Sequence, residues 1–197
     1  MFVNRKLLII TYIEDDLRTI GSNYVFASVK RAGIDVKMLY LKTNILLNEN
    51  ALREFLKANN FGVIGIRLYT MNFYYTIKLT KLIKQITPSS FIFWGGVHPT
   101  CEPEECLEYV DCVCIGEGEQ CVVDIVNNYE NPEVLKKFDG IAMRQNDGSL
   151  IINPAAYIDN IDELPYPYYE FNQNQYILDN SEEKLVWGGE YTDTFYR

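Results

Sequence analysis

The sequence predicts an α/β fold: a doubly wound, five-stranded parallel sheet of the flavodoxin or Rossmann-like kind, with a C-terminal β-hairpin and an extended connector. Two observations carry this. Apolar runs too continuous for a strand with one wet face recur between Lys6 and Ile115, as strands covered on both faces require. Each is followed by a segment whose apolar residues fall at helical spacing, and strand-helix alternation of this kind builds parallel sheets.

Lys6-Leu7-Leu8-Ile9-Ile10-Thr11-Tyr12 is the first strand. After the acidic turn Glu14-Asp15-Asp16, Gly21-Ser22-Asn23 offer caps to a helix with Val25, Val29 and Ala32 on one face. Gly33 ends it. Val36 to Leu41 is the second strand, and the helix from Asn48 carries Leu52, Phe55 and Leu56 as a buried stripe before closing at Asn59-Asn60. Phe61 to Tyr69 is the third strand, and the helix after it buries Leu79, Leu82, Ile83 and Ile86. Pro88 separates that helix from the fourth strand, Phe91-Ile92-Phe93-Trp94. The fifth is Cys112-Val113-Cys114-Ile115, preceded by a short helix from Pro103 to Tyr109 in which Pro103 and Glu104-Glu105 suit the first turn. Val122, Ile125, Val126 and Tyr129 share a face of the last helix.

From Asp139 the pattern changes. Gly140 to Arg144 and Ser149 to Ile152 flank Asn146-Asp147-Gly148, a hairpin turn signal. Beyond Pro154, the stretch Ile158 to Glu170 is acidic, rich in tyrosine and broken by Pro165 and Pro167, so it should run extended over the surface. The expected organisation is an α/β domain over 1–131, an appended hairpin over 132–157, and a connector and tail over 158–197.

A chain of 197 residues with 48% hydrophobic residues can bury a substantial core. Its formal net charge of −9 argues against nucleic acid as a partner. No apolar run approaches the roughly 20 residues that span a bilayer, and Met1 to Lys6 starts no signal peptide, so the expected location is the cytoplasm with no membrane partner. The 5 cysteines are an odd number crowded between Cys101 and Cys121, which suits reduced thiols rather than a disulfide framework. Cys112 and Cys114 alternate within a strand, and the spacings of His98, Cys101 and Cys106 are irregular. Neither fits a zinc site, and buried small hydrophobes explain these cysteines better.

The stretch from Ser89 to Glu119 organises the rest. One strand breaks at Gly95-Gly96, a turn carries His98-Pro99-Thr100, and the next strand breaks at Gly116 and Gly118. If the two strands are parallel neighbours, both turns open on the rim outside the carboxyl ends of the strands, where open α/β sheets bind ligands.

At Gly95-Gly96-Val97-His98-Pro99-Thr100 followed by Gly116-Glu117-Gly118-Glu119, the sequence resembles the cobalamin (vitamin B12)-binding domain at the front of many radical S-adenosylmethionine enzymes. Arg31-Ala32-Gly33-Ile34-Asp35-Val36, the hairpin with Asp147-Gly148, and Leu164-Pro165-Tyr166-Pro167 extend the likeness over nearly the whole chain. The resemblance implies cobalamin as cofactor, bound at the two glycine turns. Two departures qualify it. In the family the connector leads to a barrel opening with CxxxCxxC, whose thiolates hold a four-iron, four-sulfur cluster. Laid over that loop with Phe195 in register, the segment Trp187 to Arg197 puts Gly189, Asp193 and Tyr196 at the cysteine positions. No iron-sulfur cluster is then expected in this chain, nor radical chemistry from it alone. Cobalamin domains that ligate cobalt through histidine carry DxHxxG after the first strand, whereas Thr11 to Gly21 contains no histidine. The resemblance therefore implies a corrinoid without a histidine from that loop on its cobalt.

Each candidate residue has a structural alternative. Gly95 and Gly96 admit close approach of a ligand, or form a turn the fold alone requires. His98 is a polar ligand contact, or a histidine satisfied by a neighbouring group. Thr100 either joins the site, with Val97 and Pro99, or caps the next helix. Glu117 and Glu119, with Gly116 and Gly118, suggest ligand contact, or acid-base catalysis, yet acidic residues at a helix start are ordinary dipole partners. Arg67, Thr70 and Asn72 stand where a corrinoid tail or amide finds donors, and Thr70 or Asn72 equally suits a helix cap. Tyr166 to Tyr169 is either a docking surface or packs on the sheet domain.

The leading expectation is a corrinoid carrier or accessory module, with any methyl or radical chemistry belonging to a separate catalytic protein or a missing radical domain. The alternatives are an interaction module that has lost the ligand, and a small enzyme using Glu117, Glu119 or His98 on a nucleotide-like substrate.

Overall fold

A computed structural model describes residues 4–13, 19–42, 47–169, 174–179 and 184–187. The turn at Glu14-Asp15-Asp16, the first three residues, and the positions Gly189, Asp193 and Tyr196 lie outside the described residues.

Five parallel strands form the centre: β1 (Leu7–Ile13), β2 (Val36–Lys42), β3 (Val63–Arg67), β4 (Phe91–Gly95) and β5 (Cys112–Cys114). They lie in the order β5-β4-β3-β1-β2. Every residue of β1 is buried, which explains its near-continuous apolar character, broken only by Thr11. The first crossover runs outward from β1 to β2, and the chain then returns to the other side of β1 to begin β3. The winding therefore reverses between β1 and β3, and the crevice of an open α/β sheet falls at such a reversal.

The helices α1 (Ile20–Arg31) and α6 (Gly118–Asn128) cover one face, packing Phe26, Val29, Val122, Ile125 and Val126 against Leu7, Ile9 and Phe93. The helices α2 (Glu49–Asn59) and α3 (Phe73–Ile86) cover the other, with Leu52, Phe55, Leu56, Ile77 and Ile83 against Leu8, Ile10, Ile64 and Trp94. Local chemistry fixes the ends of α2. The Asn48 side chain accepts from the Ala51 amide at 3.1 Å, and Asn60 turns left-handed at φ 49 to stop the helix.

Two short turns join β4 to β5, α4 (Val97–Cys101) and α5 (Pro103–Cys106). The single helix expected to reach Tyr109 therefore ends at Cys106, because Cys106 and Leu107 drop into the core and pull the chain off the surface. A further turn, α7 (Pro132–Leu135), leads to the expected hairpin, β6 (Ile141–Arg144) and β7 (Leu150–Ile152), which joins antiparallel to β5.

The reading of 158–197 as connector and tail needs correction. β8 (Gln175–Asp179) pairs parallel with β2, and β9 (Lys184–Trp187) pairs antiparallel with β8, giving a 9-stranded sheet among the described residues. The free edge of β2 supplies the reason. Its backbone from Met38 to Leu41 needs a partner, and the short apolar run Tyr176-Ile177-Leu178 fills that edge. Periodicity within the run alone does not reveal such a partner. Among the described residues no helix is long and apolar enough to cross a membrane.

Candidate functional site

The ends of β4 and β5 turn on glycines that other residues cannot replace without strain. Gly96 has φ +107, and a Cβ there would stand 3.0 Å from the Leu68 carbonyl oxygen and 3.4 Å from Arg67 Cγ. Gly116 has φ +82, and its Cβ would stand 2.5 Å from the Ala156 carbonyl oxygen. One hydroxyl joins the two turns. Thr100 Oγ1 donates to the Gly96 carbonyl at 2.9 Å and accepts from the Gly116 amide at 3.1 Å. Thr100 therefore does not cap the following helix. The end of the hairpin segment holds the second turn from outside, as the Ala156 amide donates to Ile115 O at 3.1 Å and the Glu117 amide to Ala156 O at 2.9 Å.

Beneath these turns lies a cavity of about 410 Å³. Ile9, Gly65 and Phe93 form its floor, Val25 of α1 and Val122 of α6 its walls, and Arg67, Val97 and Thr100 stand with the glycines at its mouth. Of the residues expected at the site, Gly95, Gly96, Val97, Thr100, Gly116, Glu117, Gly118 and Glu119 line it, whereas Thr70, Asn72, His98 and Pro99 do not.

His98 is turned to the opposite face. It is 7% exposed, its ring centroid lies 4.7 Å from that of Phe73, and Nδ1 lies 3.2 Å from Thr70 Oγ1. Its Nε2 stands 3.7 Å from a Glu105 carboxylate oxygen, beyond good hydrogen-bond reach. Thr70 is thus engaged by His98. Asn72 sits at the start of α3 without a side-chain cap, its carbonyl accepting from Thr76 Oγ1 at 2.9 Å.

Among the described residues Arg67 is the only cation in the cavity lining. It lies over the Tyr69 ring at 4.6 Å and donates to the Tyr69 hydroxyl, and burial lowers its pKa. Glu119, in the first turn of α6, is 7% exposed. Burial pushes its carboxyl above the ordinary range, against the pull of the Glu119 and Gly118 amides, with Glu117 adding to the rise. Its Oε2 has no hydrogen-bond partner.

All five cysteines are free. Burial drives the Cys112 thiol well up, and Cys114 with burial does the same for Cys121. Among the described residues no group of three or more His, Cys, Asp or Glu is placed to hold a metal ion.

Motif reading missed the cavity residues Ile9, Gly21, Ser22, Val25, Gly65, Phe93 and Val122. They come from β1, α1, β3, β4 and α6, and only the strand order brings them together. The signal that points to them is the reversal between β1 and β3, which requires knowing which strands are neighbours.

An uncharacterized methyltransferase of Pyrococcus horikoshii is 30% identical over 150 residues, covering 73% of this chain and 32% of the relative. An anaerobic magnesium-protoporphyrin IX monomethyl ester cyclase of Cereibacter sphaeroides is 24% identical over 163 residues, covering 79% of this chain and 26% of the relative. The fold is similar to that in the cobalamin-dependent S-adenosylmethionine radical enzyme OxsB with aqua-cobalamin bound, with TM-score 0.69 and 18% identity over 82% of this chain and 24% of that one. It is also similar to the radical S-adenosylmethionine methyltransferase TsrM of Kitasatospora setae, with TM-score 0.69 and 13% identity over 90% of this chain and 36% of that one. The chain thus spans about a third or less of the curated relatives. The family model for the B12 binding domain matches residues 6–126, and together with the reversal-point cavity and its paired glycine turns this establishes that the chain belongs to the B12 binding domain family.

Proposed function

We propose that this chain binds cobalamin, with the corrin ring over the glycine rim and the nucleotide tail in the cavity between α1 and α6. The observation that carries the reading is the cavity itself, apolar at its floor and roofed by two glycine turns that Thr100 joins. At about 410 Å³ it suits a nucleotide-sized group rather than a whole corrinoid, since pockets of about 300–1,000 Å³ enclose drug-sized ligands. Ile9, Val25, Phe93 and Val122 offer an aromatic base apolar contact on both sides. Gly96 and Gly116 let the backbone approach without a Cβ in the way. Arg67 places a positive charge at the mouth, suited to the phosphodiester of the tail.

Bound cobalamin supplies a cobalt centre able to carry a methyl group. Among the described residues the cavity lining pairs no nucleophile with a base, and in this reading the chain's own part is to hold and orient the cofactor. Methyl or radical chemistry then belongs to a further domain or a separate protein. Exposed Met71, Tyr74 and Val97 on the same rim offer such a partner apolar surface. His98 faces away from the cavity, which supports a corrinoid held without histidine on cobalt. The five unpaired cysteines support a reducing, cytoplasmic setting.

The test is direct. Purified protein incubated with hydroxocobalamin and desalted should retain a corrinoid absorption spectrum in stoichiometric amount. A colourless protein after desalting would favour a module that keeps the fold and has lost the ligand.

A further inference from the structure

Glu119 carries a polar atom that the protein leaves without a partner. The residue is 7% exposed, the amides at the start of α6 engage the carboxyl, and among the described residues Oε2 is bonded to nothing. Buried polar atoms are nearly always satisfied, and an exception at a cavity wall points to a group that arrives from outside.

Glu119 stands in the wall between the cavity under the glycine turns and a second, polar cavity of about 520 Å³ beside the connector. Among the described donors of that second cavity the Ser28 hydroxyl has no partner and does not reach Oε2, and the rest are engaged elsewhere. Arg31 donates to the Glu163 carbonyl at 2.6 Å, Gln120 Nε2 to Asp124 at 3.0 Å, and Asn160 Nδ2 to Glu163 Oε1 at 3.1 Å. The first cavity is different. Among the described residues its floor and walls are mostly apolar, the Ser22 hydroxyl is committed to Thr11, and Arg67, the one cation, is committed to Tyr69. A ligand filling it must therefore bring the missing donor.

The surroundings narrow that donor. Burial already disfavours a charge on Glu119, so a cationic ligand gains less from it than a neutral hydroxyl, which both donates and accepts and suits either protonation state. The position narrows it again. Glu119, in the first turn of α6, lines the same apolar slot as Val25, Phe93 and Val122, between which an aromatic base would sit, and the group attached to the base in cobalamin is a ribose. We propose that Glu119 recognises a ribose hydroxyl of the nucleotide tail, accepting from it through Oε2. This rests on the reading of the cavity as the tail site. It makes Glu119 a determinant of which corrinoid is held, since a corrinoid without its nucleotide offers no such hydroxyl.

Equilibrium binding of hydroxocobalamin and of cobinamide, which lacks the nucleotide, should be measured on wild type, Glu119→Leu and Glu119→Gln. Glu119→Leu should lose at least tenfold in affinity for hydroxocobalamin and none for cobinamide, while Glu119→Gln, which keeps an acceptor, should stay within about threefold of wild type for both. A measurement on wild type alone guards against a variant that fails to fold: α-ribazole, the nucleoside, should displace hydroxocobalamin at about tenfold lower concentration than its free base, 5,6-dimethylbenzimidazole. Equal hydroxocobalamin affinity in wild type and Glu119→Leu, equal losses for both corrinoids, or equal competition by nucleoside and base would each overturn the assignment while leaving cobalamin binding intact. A wild type that retains neither corrinoid would remove the tail site itself and the assignment with it.

Discussion

Replacing Gly96 by alanine puts the proposed rim to its sharpest test. The backbone there, at φ +107 and ψ −168, lies in a region open almost only to glycine, where another residue costs of the order of 1–3 kcal/mol. The added Cβ would meet the Leu68 carbonyl oxygen at 3.0 Å, tighter than ordinary contact. That carbonyl cannot easily move, because the amide of the same residue donates to Gly95 O at 2.9 Å. Gly96 O is held too, accepting from both the amide and the hydroxyl of Thr100 at 3.1 and 2.9 Å. Strain and contact together should cost about 2–3 kcal/mol, against a domain stability of roughly 5–15 kcal/mol. The variant should fold, with a lower urea midpoint and an unchanged slope. Because the same movement pushes Arg67 and Thr100 off the mouth of the cavity, hydroxocobalamin affinity should fall at least tenfold.

Gly148→Ala separates the contributions. Gly148 also has a positive φ, +85, but nothing lies within 4 Å of its would-be Cβ. It should show backbone strain alone, about 1 kcal/mol, and no change in cofactor affinity. If Gly96→Ala matched Gly148→Ala in both midpoint and affinity, the close contact at the rim would have no energetic meaning and the argument for a ligand there would lose its basis.

Other outcomes follow from the same geometry. Thr100→Val keeps the shape but leaves the Gly116 amide without its acceptor, at a cost of about 1–3 kcal/mol in denaturation, and should weaken hydroxocobalamin retention by loosening both turns. His98→Ala should lower the melting temperature, since it empties a buried site against Phe73, while the corrinoid absorption spectrum stays unchanged; a shifted spectrum would mean that His98 reaches cobalt after all. Burial raises the Glu119 carboxyl above its ordinary value of 4.5 in the folded protein. The folded state therefore binds more protons in that window, so the stability of wild type relative to Glu119→Gln should fall as pH rises above about 4.5. Urea midpoints of the two proteins from pH 4 to 7 measure this, and parallel curves would contradict the burial of that carboxyl.

The parallel sheet was legible because each central strand is buried on both faces, and burial of that kind leaves a near-continuous apolar run such as Leu7 to Tyr12. The glycine turns were legible for a similar reason, since Gly96 and Gly116 occupy conformations that few residues but glycine adopt. What stayed hidden depends on neighbours distant in sequence. The slot between α1 and α6 exists because β1 lies beside β3, and nothing local to Ile9 or Val25 marks them as its lining. β8 is a strand because β2 has an open edge. The two faces of α4 divide the His-Pro-Thr turn, sending Thr100 to the cavity and His98 to Phe73. A motif read as one unit gives no warning of that division.

The chain that follows β7 has a larger part in the site than its composition suggests. Ala156 forms an isolated bridge with Gly116 and holds the second turn. Farther on, the Tyr168 ring lies 4.9 Å from Phe26, Lys30 Nζ sits 4.2 Å over its face, and its amide donates to Asn23 O at 3.2 Å. Of the tyrosine run, Tyr168 therefore packs on α1, while Tyr166 is 94% exposed. Asn23 and Phe26 flank Val25, a wall of the cavity, so one stretch of chain braces both its roof and its wall. A displacement of α1 to admit a larger base must strain the Tyr168 contacts, and a displacement of the Gly116 turn must break the Ala156 hydrogen bonds. The width of the slot is therefore set by the chain after β7 as much as by the sheet, and substitutions there should alter cofactor binding without touching a residue that lines the cavity.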